Sequence, residues 1–308
     1  MKRSAVLAGL LPVLVLYACS KSYAEADPAV TPHTDAEVTP DSNTPDGAMP
    51  NDDGAVPIDG AAGCFGRTTF VEASDPDLAW STGLDLASAR LGNDGTWYVT
   101  RQKVSDFTIW TKAPKAMTVT SLDAIHVAGE SDEQAAVDDA VSRLVFHSTR
   151  GTGDQLFIAA SNGVEFGAAK PLAVDNASDV IDPYLVNDVL YYARSTNQGH
   201  RALWRGQLAG SGVSETRQVL TIDGTECDHL VVTRDELEVF FRLRTNDAVT
   251  GVVTYARRSA KTDAFGKTAT VSVSLPSGIA HPTWISPDGC ELYAIDTNKK
   301  LRHFTRKP

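Results

Sequence analysis

The stretch ISPDGCELYAID, residues 285–296, decides how the chain is built. It reads as the end of one strand, a Pro-Asp-Gly turn and a second strand, with only KLRHFTRK left to form a third. A sheet cut off there would leave an open edge, which folded proteins avoid. The missing strand has to come from elsewhere in the chain.

Working outward, the second strand of this unit has four earlier counterparts. TWYVTRQ begins at 96, RLVFHST at 143, VLYYARS at 189 and EVFFRLR at 238, ahead of ELYAIDT at 291. With Tyr98, Val145, Tyr191, Phe240 and Tyr293 taken as equivalent, the spacings are 47, 46, 49 and 53 residues. That is the length of a four-stranded blade with its loops. Each copy is followed by another strand: FTIWTKA, DQLFIAAS, RALWRGQ, GVVTYARRS and KLRHFTRK. Four copies then supply one more: AMTVTSL, AKPLAV, TRQVLTI and TATVSVS. RTTFVEA, residues 67–73, precedes the first copy and lacks a partner of its own, so it is expected to complete the last blade. The fold class is all-β, a β-propeller of five four-stranded blades closed by an N-terminal strand; a weak sixth blade among residues 122–136 stays open.

The repeats also carry a family resemblance. DDAVSRLVFHSTRGTGDQLFIAASNGVEFGAAKPL and AHPTWISPDGCELYAI resemble the repeat of TolB-type, WD40-like (PD40) β-propellers, and YARRSAKTDAFGKTATVSV keeps its later half in weaker form. The resemblance spans most of residues 75–308 and is sharp in the second and fifth copies. It implies a scaffold more than an activity, and it implies that the channel region can receive a peptide or a partner's extended segment.

The start of the chain bears on location. Lys2 and Arg3 precede the apolar AVLAGLLPVLVLYA, and Ala18 stands before Cys19 in LYAC. This is the pattern of a secretory signal, too short for a comfortable membrane span. It resembles the bacterial lipobox, which implies a signal peptide over 1–18 and lipidation of Cys19. Ordinary secretory cleavage nearby is the bland alternative. Ser20 after the cysteine favours the outer membrane. Residues 20–63 hold nine acids against one lysine and almost no large apolar side chains, so residues 19–63 are read as a disordered tether and 64–308 as the propeller. Much of the net charge of −11 belongs to that leash.

Several motifs reduce to turns. NDGTW, residues 93–97, lacks the spacers of a sialidase Asp-box, Ser211 in AGSGVS lacks a nucleophile elbow, and GTGDQ has no strand-to-helix phosphate loop after it. Cys227, Asp228 and His229 have metal-ligand chemistry, but neighbours on a strand face opposite ways, so at most two converge. No cofactor or metal is expected. The arginines of YARRS and FRLR alternate with apolar residues and are read as solvent-facing, and the acidic balance argues against nucleic acid. Beyond Cys19, three cysteines remain. Cys64 and Cys290 are expected on the same rim of the last blade, where a disulfide would clamp the closure although a strand lies between them. Cys227 is then free.

The candidate site comes from aligning the innermost strands. His281 falls opposite Asp228 and Asp182, with Glu133 nearby, so these four are expected to ring one channel mouth. The bland reading is that they cap strand ends and turns. Two function classes follow. One is a lipid-anchored envelope propeller, facing the periplasm or the outside, that binds a protein or peptide without catalysis. The other is a five-bladed glycoside hydrolase using Asp182 and Asp228, with Trp284 and Tyr184 as sugar platforms.

Overall fold

The computed structural model describes residues 64–103, 106–151, 153–175, 179–196, 199–245, 251–266 and 271–307. The leader, Cys19 and the acidic segment lie outside the described residues. Among the described residues no helix is long and apolar enough to cross a membrane.

Five sheets follow one another along the chain, antiparallel except for one parallel pairing in the third. Blade I is Leu86–Leu91, Trp97–Lys103, Asp106–Lys112 and Thr120–Ser121. Blade II is Asp132–Val137, Arg143–Ser148, Gln155–Ala160 and Lys170–Pro171. Blade III is Val180–Val186, Val189–Ser195, Arg201–Ala209 and Gly212–Leu220. Blade IV is Thr225–Val232, Glu238–Thr245, Val252–Arg257 and Val271–Ser272. Blade V is Ile279–Ile285, Glu291–Asp296, Leu301–Arg306 and, from the N-terminal side, Phe70–Glu72. The first strand of each blade contacts those of both neighbours, blade V meeting blade I, so the ring closes. Residues 122–131 form turns leading into blade II, which leaves five blades and no sixth among the described residues.

The second strands are apolar without alternation because each blade is covered on both faces. Leu190, Tyr191, Tyr192 and Ala193 of blade III are buried, as are Val239, Phe240 and Phe241 of blade IV. Burial of this kind contributes roughly 1.5–3 kcal/mol per large side chain. The chain turns from first to second strand through Asp-capped hairpins. Asp138 accepts from the amides of Ser142 and Arg143, Asp235 from that of Leu237, and Asp288 from that of Cys290. In ISPDGC, Gly289 takes a φ of 70°, a left-handed value that glycine adopts without steric cost.

Closure is fastened at several points. Phe70 pairs with Arg306, Val71 with Thr305 and Glu72 with Phe304. Cys64 and Cys290 are joined by a disulfide across 226 residues of chain. Fully buried Glu238 of blade IV accepts from Gly66 N at 2.5 Å, the Tyr255 hydroxyl at 2.7 Å and Arg306 Nη2 at 2.9 Å, tying the donated segment to a neighbouring blade.

Two expectations need correction. AKPLAV divides: Lys170–Pro171 stays in blade II, while Ala173–Val174 crosses to pair in parallel with Gly212 and Val213, making blade III five-stranded. The arginines of YARRS and FRLR are not all on solvent faces. Arg258 is buried, with Nε on Glu236 O at 2.7 Å and Nη2 on the Tyr191 hydroxyl at 2.6 Å, and Arg242 is committed to a buried carboxylate. Arg242 lies on a second strand, both faces of which meet another blade, and Arg258 directly follows the third strand of blade IV and turns inward.

Candidate functional site

The five first strands line the channel in the same direction, so the channel has a strand-start mouth and a strand-end mouth. Every one of them breaks register near its start, at 86/88, 133/136, 181/184, 228/231 and 279/281. These are β-bulges, which re-aim the side chains around them. In three blades the bulged residue is left-handed: Gln134 at φ 56°, Asp182 at 54° and His229 at 49°. None is glycine, so the surrounding structure must hold them there.

What holds them is a relay from blade to blade. Gln134 N donates to Thr100 Oγ1 at 2.9 Å, Asp182 N to Gln134 Oε1 at 3.0 Å and His229 N to Asp182 Oδ2 at 2.9 Å. Between blades V and I, Ala89 N donates to Thr283 Oγ1 at 2.8 Å, and that hydroxyl donates back to Ala89 O. Blades IV and V meet through the rings of His229 and His281, whose centroids are 4.0 Å apart. In blades II, III and IV the bulge thereby turns a backbone N–H toward the preceding blade, where a side chain accepts it.

The register corrects the sequence alignment. Glu133, Ile181, Asp228 and His281 share one position, paired with His147, Ala193, Arg242 and Ile295. Asp182 lies one residue further in, level with Gln134 and His229. Blade III has a hairpin two residues shorter, Tyr184 pairing with Tyr191 where Val231 pairs with Phe240 and Trp284 with Tyr293. The 12-residue count that leads from Phe240 to Asp228 and from Tyr293 to His281 would therefore overshoot by two in blade III, so Asp182 is not opposite them.

Asp182 and Asp228 do converge, and with His229 they place ligand-type atoms within 4.8 Å of one another. The protein already uses most of them. Arg242 forks onto Asp228, Nε to Oδ1 at 2.6 Å and Nη2 to Oδ2 at 2.8 Å, with Arg244 Nε 3.3 Å from Oδ2. Burial pulls the Asp228 carboxyl up, but the charge of His229 and the Arg242 fork outweigh it and hold the group well below the usual carboxylate range. His281 is pushed well below its ordinary value by burial, with His229 and Arg242 adding to the effect, so its ring is neutral at pH 7. Glu133 is different: burial raises its carboxyl, only partly offset by His147. Glu133, His147, Thr149, Asp154, His229 and Arg242 line the open cavity at this mouth, where His147 Nε2 and Asp154 Oδ1 are 3.0 Å apart. Cys227, next to Asp228 in sequence, faces the core as a free, buried thiol pushed up to about 12 by burial.

Tyr184 and Trp284 are at the other end. Both line a cavity at the strand-end mouth together with Val186, Val232, Ile285 and Arg90. They do not flank Asp182 and Asp228 as sugar platforms would. Arg90 was missed by the sequence reading, as were Gln134, Thr100 and Thr283. The available signal was a lone arginine in LASARL, a run otherwise of small and apolar residues.

No protein-family model and no curated protein matches the chain. Among solved structures, TolB from Acinetobacter baumannii superposes with a TM-score of 0.51 at 10% identity, over 73% of this chain and 55% of that one. The fold is that of a TolB-like propeller. The propeller spans little more than half of that protein's length, so the likeness concerns the scaffold. A TolB from Agrobacterium tumefaciens gives a TM-score of 0.48 at 12% identity over 72% and 74% of the two chains. A gluconolactonase from Xanthomonas campestris gives 0.47 at 15% over 77% and 84%.

Proposed function

We propose that this chain is a lipid-anchored propeller of the bacterial cell envelope, held at the outer membrane through Cys19, that binds a protein partner at its strand-start mouth without catalysing a reaction. The observation that carries this reading is the state of the two inner carboxylates. Asp228 is forked by Arg242 through both oxygens, and Asp182 gives Oδ2 to the bulged amide of His229, so Asp228 wholly and Asp182 through one oxygen serve the ring rather than a substrate. Glu133, Asp154, Thr149 and His147 around them form a polar rim suited to a peptide with basic and hydroxyl groups.

The test places a photocrosslinking residue at Thr149 in the lipidated protein within intact cells, with a second at highly exposed Val164 as the control. A partner captured from position 149, absent from position 164 and lost with Glu133→Gln plus Asp154→Asn supports the reading. Capture unchanged by that double variant counts against it. Palmitate labelling abolished by Cys19→Ala tests the anchor.

A second reading rests on Glu133. It is a raised carboxyl in the same cavity as the depressed Asp228, and carboxyls pushed apart in this way are what a glycoside hydrolase uses. Turnover of any member of a polysaccharide panel, abolished by Glu133→Gln, would establish it in place of the first.

A further inference from the structure

The carboxylates around the strand-start mouth outnumber the cations that could match them. Asp228 has Arg242, Glu226 has Arg244, and Asp179 has Arg201 at 3.1 Å. Arg201 also lies 3.9 Å from Asp154, whose Oδ1 is 3.0 Å from His147 Nε2. Glu133 is left over. Among the described residues no hydrogen bond reaches its carboxyl, and the basic atom beside it is His147 Nδ1, at 3.7 Å. Burial raises the carboxyl of Asp154, but hydrogen bonding to His147 outweighs it and keeps the group ionised, so His147 spends its Nε2–H there. In the neutral ring Nδ1 is then an acceptor and has no proton to give Glu133.

Glu133 differs from Asp182 in being reachable. The spare oxygen of Asp182 has no accessible surface, whereas the Glu133 side chain is 20% exposed. It opens into a cavity of about 570 Å³, open mouth included, shared with Thr149, Asp154 and Ile181 and with the already committed Arg201 and Arg242. Burial raises the Glu133 carboxyl, with His147 and His229 opposing and Asp182 and Asp154 adding. That is the cost of a half-buried anion whose counter-charge the ring does not supply, and a cation entering the cavity would reverse it.

We propose that the peptide held at the strand-start mouth places one basic side chain in this cavity, its cation lying against the Glu133 carboxylate. The inference rests on the partner-binding reading of that mouth and names the chemistry the partner must carry. A charge-assisted contact of this kind is short and directional, and Glu133 has both oxygens free to accept it. A lysine ammonium and an arginine guanidinium share the chemistry, and the probes below separate them.

The test is retention of hexapeptide pools on the immobilised full chain, with the third residue fixed as lysine, arginine or norleucine and the others mixed. The lysine or arginine pool should be held at least about tenfold more tightly than the norleucine pool, since a hydrogen bond to a charged group contributes that much or more. The better of the two names the side chain. Glu133→Gln should abolish the preference, and Glu133→Asp, which keeps the charge on a shorter stem, should keep part of it. Because the pools report on the unaltered protein, a variant that does not fold leaves the inference open to refutation. Three pools held alike by the wild type, or a preference that survives Glu133→Gln, would overturn it. Capture from position 149 in cells together with pools held alike would sink this inference and leave the proposed function standing. Pools that discriminate without any capture in cells would sink the proposed function instead.

Discussion

The two mouths of the channel are cut from the same five strands and treat their polar groups in opposite ways. At the strand-start mouth, the bulges of blades II to IV turn amides toward the preceding blade, where Thr100, Gln134 and Asp182 accept them, and Thr283 accepts the amide of Ala89. Asp228 is neutralised there by Arg242. At the strand-end mouth the strands leave in register through capped hairpins, and Arg90 stands among aromatic and aliphatic walls with two donors unspent. One mouth is knit by hydrogen bonds within the ring. The other is fastened from outside, by the Cys64–Cys290 disulfide at its blade V hairpin and by Glu238 at the start of the second strand of blade IV. The lesson is that a charge indicates a ligand only where it lacks partners and opens onto a cavity, as Glu133 does; where either condition fails it is part of the scaffold.

The largest effect should come from the external clamp. Removing the disulfide by Cys64→Ser plus Cys290→Ser frees a loop closed over 226 residues, and the chain-entropy argument sets an upper bound of about 5 kcal/mol. Urea denaturation of the variant should show a loss approaching that bound; an unchanged midpoint would mean that Glu238 and strand pairing alone hold the ring. Next is Asp228→Ala, which leaves Arg242 half-buried without its acceptor and should cost about 3–5 kcal/mol, as breaking a buried pair does. If it costs no more than an exposed ion pair, the strand-start mouth is not knit as described.

The smallest effect concerns pH. His281 resists protonation in the fold, whereas in the unfolded chain it takes a proton near its ordinary 6.5. Stability from its neutral ring is full above that value and is lost as the pH falls below it. Glu133, being raised, works in the opposite sense, because the fold takes up its proton before the unfolded chain does. Urea midpoints measured between neutral pH and about pH 5 should therefore fall less in His281→Asn than in the wild type. An identical slope in both would place the titration elsewhere.

Much of the architecture was legible because it is local and repeated. A spacing of 46 to 53 residues and five copies of one apolar strand require blades, and an incomplete fifth copy with a spare strand at residues 67–73 requires closure. The hairpin aspartates were legible for the same reason, since an Asx side chain caps its own turn. Glu133, Asp228 and His281 could be brought to one register by counting. Asp182 could not, because the hairpin of blade III is two residues shorter and a count carries that error inward.

What the chain alone determined, then, is the set of elements, their order and the need to close the ring; each follows from period, turn chemistry and edge avoidance, which act over a few residues at a time. Only the tertiary structure decided which polar groups are spent. Bulges at equivalent positions in consecutive blades put Gln134, Asp182 and His229 in contact across gaps of 48 and 47 residues, and Arg90 reaches Leu230 across 140. Whether a buried charge is satisfied depends on which atoms from distant strands arrive beside it, and no pattern along a single strand records that.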